Sequence, residues 1–125
     1  MMSSATQYGD IVFLEHDRHR DFDGVEYLLE IIYGDISTGI FLVIKSIRGE
    51  GIDGTICIKV NDLMIDIDPN RLKLKMDGSI RNAKRWVYEN FDNILGVCED
   101  AVESIRNDID EAGVRIVEIK GLRDR

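Results

Sequence analysis

The sequence predicts a single α+β domain: a curved, mainly antiparallel sheet of five to seven strands packed on one long or broken C-terminal helical region, with a short final strand. Three observations lead there. The stretch from Gly78 to Gly113 is the only long segment whose apolar residues recur at helical spacing, with Ile80, Ala83, Val87, Phe91, Ile94, Cys98, Ala101 and Ile105 three or four apart. The residues before it fall into short runs rich in β-branched and aromatic side chains, separated by Gly, Asp and Asn. At 125 residues the chain is long enough for one core that removes roughly two-thirds of its unfolded surface from water.

A polar lead-in over residues 1–7 precedes a first strand, Tyr8 to Glu15, built around Ile11-Val12-Phe13-Leu14. His16 to Gly24 reads as a charged turn. Val25 to Tyr33 is a second strand with Val25, Tyr27, Leu29, Ile31 and Tyr33 on one face. After turn residues Gly34 to Gly39, Ile40 to Ile47 is a third strand, and the glycines of Arg48 to Gly54 predict a mobile loop. Thr55 to Val60 and Leu63 to Ile67 flank Asn61-Asp62 as a tight hairpin, which Asp68-Pro69-Asn70 ends. Arg71 to Met76 alternates, with Leu72, Leu74 and Met76 inward and a basic outer row of Arg71, Lys73 and Lys75.

Ser79 is the natural N-cap of the helical region, and Gly113 can adopt the left-handed conformation that closes a helix. An unbroken helix from Ile80 to Ala112 would run ~50 Å, long for a domain of this size. A bend or a two-helix arrangement is therefore expected near Asn90 to Gly96, where Asn and Asp offer a cap and Gly96 weakens a turn. Val114 to Lys120 returns to β-branched character and predicts the last strand, with residues 121–125 as a tail.

Composition narrows the function. Cys57 and Cys98 sit apart at apolar positions with no CxxC, which suits buried free thiols in a reducing compartment. The N-terminus lacks the basic and apolar regions of a leader, and no apolar run approaches the ~18 residues of a membrane span, so a cytoplasmic protein is expected. A net charge of −8 argues against nucleic acid as a general partner. That average hides a division. Arg71 to Arg85 holds six basic residues against Asp77 alone, whereas Glu89 to Glu111 holds eight acids against Arg106 alone.

Chemistry-bearing patterns are sparse. His16, His19, Asp21 and Asp23 are metal-ligand types without a recognised spacing. Glu118-Ile119-Lys120 has the acid-x-lysine form of metal-dependent nucleases, and Asp66 and Asp68 share a strand face. The alternative function is therefore a metal-dependent hydrolase or nuclease using Asp66, Asp68, Glu118 and Lys120. No phosphate loop and no nucleophile–base pair is present, so no catalytic residue, metal ligand or cofactor is assigned. The basic row continues into Arg81, Lys84 and Arg85 with Trp86 beside them, a composition suited to gripping another protein.

From Thr55 to Ala101, the hairpin, Gly78-Ser79-Ile80 and Trp86-Val87-x-x-Asn90 resemble a family of small bacterial domains of unknown function often encoded near toxin–antitoxin genes. That family's paired histidines are replaced here by Thr55-Ile56-Cys57-Ile58, so no functional residue carries over. The expected function is a non-enzymatic cytosolic protein-binding module: an inhibitor, an antitoxin or immunity-type partner, or a subunit of a small assembly. Its contact residues are expected to be Arg71, Lys73, Lys75, Arg81, Lys84, Arg85 and Trp86. Opposite charge on one surface also permits a homodimer, and no membrane contact is expected.

Overall fold

A computed structural model describes residues 5–47, 51–60, 63–67, 79–105 and 111–123. Six strands follow one another as an antiparallel meander: β1 (Ala5–Tyr8), β2 (Ile11–Arg20), β3 (Gly24–Tyr33), β4 (Ile36–Ile47), β5 (Gly51–Val60) and β6 (Leu63–Asp66), each paired with the next. The helices α1 (Ile80–Glu89), α2 (Phe91–Ile105) and α3 (Glu111–Arg123) come after. The α+β class and the antiparallel sheet, six-stranded among the described residues, thus agree with the sequence pattern.

Two-residue turns set the register. Tyr8 pairs with Ile11 and Tyr33 with Ile36, and each turn opens on a glycine in the left-handed region, Gly9 at φ 56° and Gly34 at φ 62°. At Gly9 there is a second constraint, because a Cβ there would lie 2.9 Å from the Tyr88 ring. The left-handed φ is what favours glycine here, and the Tyr88 ring packs close against it.

The inner face of the sheet is fully dry. Ile11 and Phe13 of β2, Leu29 and Ile31 of β3, Ile40, Leu42 and Ile44 of β4, and Ile56 and Ile58 of β5 are all buried. Val87, Phe91, Ile94, Leu95, Cys98 and Val102 of α1 and α2 close over them, joined by Ile116 and Ile119 of α3. The residues of α1 and α2 among them are the helical-period residues of the sequence.

The helical region breaks where its residues suggested. Ser79 caps α1 with extended backbone (φ −152°, ψ 156°) while its hydroxyl accepts the Asn82 N–H at 3.1 Å. Asn90 ends α1, donating its backbone N–H (3.0 Å) and its side-chain amide (2.8 Å) to the Trp86 carbonyl, and α2 starts at the next residue.

Several expectations are corrected. The predicted final strand Val114 to Lys120 is part of α3, and Gly113 lies inside that helix instead of closing one. β-Branched residues favoured a strand locally, but tertiary packing sets the outcome: Ile116 and Ile119, three apart, are fully buried whereas Val117 between them is 58% exposed. Ala5 to Gln7, read as lead-in, form β1; Gly121 to Arg123, read as tail, finish α3. The charged turn shrinks to 21–23 because β2 runs on to Arg20, and β5 begins at Gly51, inside the predicted loop. The expected strand Arg71 to Met76 lies outside the described residues.

A helical α3 carries a measurable signature. Ile116→Ala and Ile119→Ala should each lower stability by about 2–4 kcal/mol in urea unfolding, while Val117→Ala stays within ~0.5 kcal/mol. A strand would put Ile116 and Ile119 on opposite faces and spare one of them.

Candidate interaction surface

The expected basic contact set is divided by the fold. Arg71, Lys73 and Lys75 lie outside the described residues. Arg81 and Arg85 are exposed one turn apart on α1. Arg81 sits in the first turn, at the positive end of the helix dipole, where a cation costs stability, and no acid occupies that turn to offset it. Lys84 is turned inward, with its ammonium donating to the Thr6 hydroxyl at 2.8 Å, and burial pushes its pKa down against the raising field of Glu15. Trp86 packs against the core and is not a projecting anchor.

The acidic stretch is partly neutralised from within. Lys120 of α3 meets Glu99 of α2 at 3.0 Å, and Arg123 holds Asp92 through two hydrogen bonds of 2.5 and 3.1 Å. The Arg123 guanidinium also lies over the Tyr33 ring (5.6 Å) and the Phe91 ring (5.0 Å). That hydrogen bond draws the Asp92 pKa down and raises that of Arg123.

The residues of the alternative hydrolase are not brought together. Glu118 and Lys120 belong to α3 on the inner side of the sheet, and two residues along a helix they face apart. Asp66 pairs with Cys57 on the outer face, where it accepts the thiol hydrogen at 3.1 Å, and Asp68 lies outside the described residues. Burial, with Asp66 adding to it, pushes the Cys57 thiol up to about 12, so this cysteine is a poor nucleophile. Both cysteines are buried, as their positions implied. Among the described residues no group of three His, Cys, Asp or Glu is set to hold a metal.

The histidine-rich segment has other work. A bulge in β2 inserts His16 between Glu15 and Asp17 and brings its imidazole onto Glu30, which also accepts the Ser37 hydroxyl. Glu30 faces Leu14 and Phe41 across the ladder and its side chain is 12% exposed. Burial raises its pKa, but the hydrogen bonds from Ser37 and His16 outweigh that and hold it below the ordinary glutamate value.

A feature that periodicity did not single out stands at the end of the β2–β3 hairpin. Burial along β2 stops at Glu15, and the last five residues of the strand are exposed. Arg18 stiffens this stem, paired with Glu15 at 2.9 Å and lying 4.9 Å over the Tyr27 ring. At the tip, Asp21 accepts the N–H groups of Asp23 (2.8 Å) and Gly24 (3.1 Å), and its own N–H donates to the Gly24 carbonyl at 3.0 Å. Those two accepted bonds lower the Asp21 pKa. Between the two aspartates Phe22 is 99% exposed. The signal in the sequence was a single aromatic residue in a charged run, His16 to Gly24, with no apolar neighbour two or three residues away within that run.

Shallow depressions flank the tip. One of about 350 Å³ is lined by Asp21, Asp23, Val25, Glu26, Lys45 and Ser46, and one of about 280 Å³ adds Arg20 and Phe22. A third, about 180 Å³, shares Glu26 and Lys45 and runs across the outer face to Asp53, Thr55, Cys57 and Asp66. In register, Lys45 lies directly between Glu26 and Asp53, and its ammonium is 3.7 Å from the Glu26 carboxylate.

Because the Glu30 pKa is depressed by folding, its carboxylate stabilises the fold above its unfolded value, ~4.3, and that contribution is lost as pH falls through the lower folded value. Urea unfolding of Glu30→Gln should therefore show a deficit at pH 7 that closes between about pH 5 and pH 3. No family model, curated protein or solved structure matches this chain, and the likeness of Thr55 to Ala101 to small bacterial domains has no matching model behind it.

Proposed function

We propose that this chain is a non-enzymatic protein-binding module, of inhibitor or immunity type, that engages its partner through the β2–β3 hairpin tip. The fully exposed Phe22 supports this most directly. Leaving a phenylalanine in water forgoes roughly 1.5–3 kcal/mol of burial, and a tip braced by three backbone hydrogen bonds loses little entropy when it docks. An aromatic side chain presented on a rigid projection is the usual form of an interface anchor. Among the described residues, Arg81 and Arg85 are the members of the expected basic surface that are exposed, and they lie on α1. Buried thiols fit a reducing compartment such as the cytoplasm.

The photo-crosslinking residue p-benzoylphenylalanine, introduced separately at positions 22, 85 and 117 and irradiated in the native host, tests the proposal. One stoichiometric protein adduct at position 22, absent at the exposed control Val117, is the expected result. An adduct at 85 alone would move the contact to the basic face of α1; no adduct at 22 or 85 would remove the binding function. Phe22→Ser should weaken capture about thirtyfold or more, the ~2 kcal/mol of an interface hot spot, and leave the melting temperature unchanged.

A further inference from the structure

The outer face of the sheet carries none of the described helices, because α1, α2 and α3 all pack on the inner one. It is nevertheless not the polar surface that an antiparallel sheet usually turns to water. Strand alternation and register place Val12 and Leu14 of β2, Leu28 and Ile32 of β3, and Phe41 and Val43 of β4 side by side there, all half-buried. The half-buried side chains that pack on the core, such as Tyr27, Tyr33 and Ile65, are others. Glu30 stands in the middle of this patch, but His16 takes one of its carboxylate oxygens and the Ser37 hydroxyl the other. Part of the cost of covering it is thereby met in advance.

Towards the hairpin tip, a charged row borders the patch and crosses β2 to β5 in register: His19, Glu26, Lys45 and Asp53. Set against its own reverse, the row is complementary. We infer that the outer face receives a second copy of this chain, packed sheet on sheet about a two-fold axis that runs parallel to the strands, between β3 and β4. Such an axis keeps each row at its own level and reverses its order. Glu26 then meets Lys45 of the other copy, Lys45 meets Glu26, and Asp53 meets His19. One row further in, Leu28 meets Val43, and beyond that Glu30 meets Phe41. A two-fold axis across the strands would instead lay His19 and Glu26 over Val12 and Ile32, stripping water from charge without pairing it.

The size of the patch fits this occupant. It spans four strands at ~4.8 Å and the residue steps from Glu26 to Ile32 at ~3.4 Å, about 20 Å each way, so two copies bury on the order of 1,000 Å², where specific interfaces begin. Because the axis follows the strands, both hairpin tips emerge from the same end of the dimer. The inference does not rest on the tip contact proposed above, and the two fail separately.

Sedimentation equilibrium of the full chain, with charge variants mixed, is the test. The unaltered chain should approach twice its 14.3 kDa between about 10 and 300 µM, the range of a small interface. Glu26→Lys and Lys45→Glu should each stay monomeric over that range, since each sets like charges together twice across the axis; Leu28→Asp should do the same. The side chains at 26 and 45 are 45% and 60% exposed, so both charge variants keep the fold. Mixed one to one, Glu26→Lys and Lys45→Glu should restore the doubled mass, with an affinity at least tenfold above that of either alone, because both pairs across the axis are then opposite in sign. No pairing inside one chain produces that rescue. A monomer at every concentration of the unaltered chain overturns the inference, as does a dimer that persists in all three variants or a mixture of the two charge variants that stays monomeric.

Discussion

The inner face of the sheet is the constraint from which the rest follows. Isoleucine, leucine and phenylalanine side chains of four adjacent strands form one continuous apolar surface, too large to leave in water. α2 covers its centre with Phe91, Ile94, Leu95, Cys98 and Val102, and α3 adds Ile116 and Ile119 beside β4 and β5. Strands of 10–12 residues in β2 to β4 outrun the cover that the helices provide, and what projects beyond it is the hairpin that ends in Phe22. The exposed hairpin tip is thus a by-product of unequal element lengths.

Electrostatics follows the same layering. The acids of α2 would repel one another as a solvated stripe, but α3 brings Lys120 and Arg123 to Glu99 and Asp92. These pairs are largely exposed and worth little as isolated contacts. Arg123 differs, because its guanidinium lies against the stacked rings of Tyr33 and Phe91 and its carboxylate partner fixes its orientation. It ties the end of α3 to the start of α2 and to β3. On the opposite side of the sheet Lys45 stands between Glu26 and Asp53 in register, 3.7 Å from the Glu26 carboxylate.

The hairpin tip joins rigidity with exposure, two properties that conflict in most loops. Asp21 supplies the rigidity by capping the turn with its carboxylate, so its charge is committed to the backbone, whereas Asp23 and Phe22 are free to meet a partner. The stem below is held by Arg18 on Tyr27 and by the bulge that turns His16 onto Glu30. A bulge raises local twist and re-aims the strand beyond it. This is how a segment that reads as a bare charged run acquires a defined direction.

Local rules were sufficient for much of the chain. The Gly9 turn fell inside the expected first strand, Tyr8 to Glu15, whereas period-two alternation marked β3, β-branched composition marked most of β4, turn chemistry placed the Gly34 turn, and helical periodicity named the buried residues of α1 and α2 together with the Ser79 cap and the break near Asn90. Each is a property of nearest neighbours in sequence: backbone conformation, capping, or burial of one face. Other outcomes depended on what lay across the fold. Val114 to Lys120 favours a strand by composition, yet becomes helix because a helix buries Ile116 and Ile119 together against β4, β5 and α2. Trp86 and Lys84 leave the basic surface because the core and Thr6 claim them. Phe22 stays in solvent because none of the described elements reaches the hairpin end to cover it, and whether an apolar side chain finds cover is decided by tertiary packing, not by its own sequence neighbours.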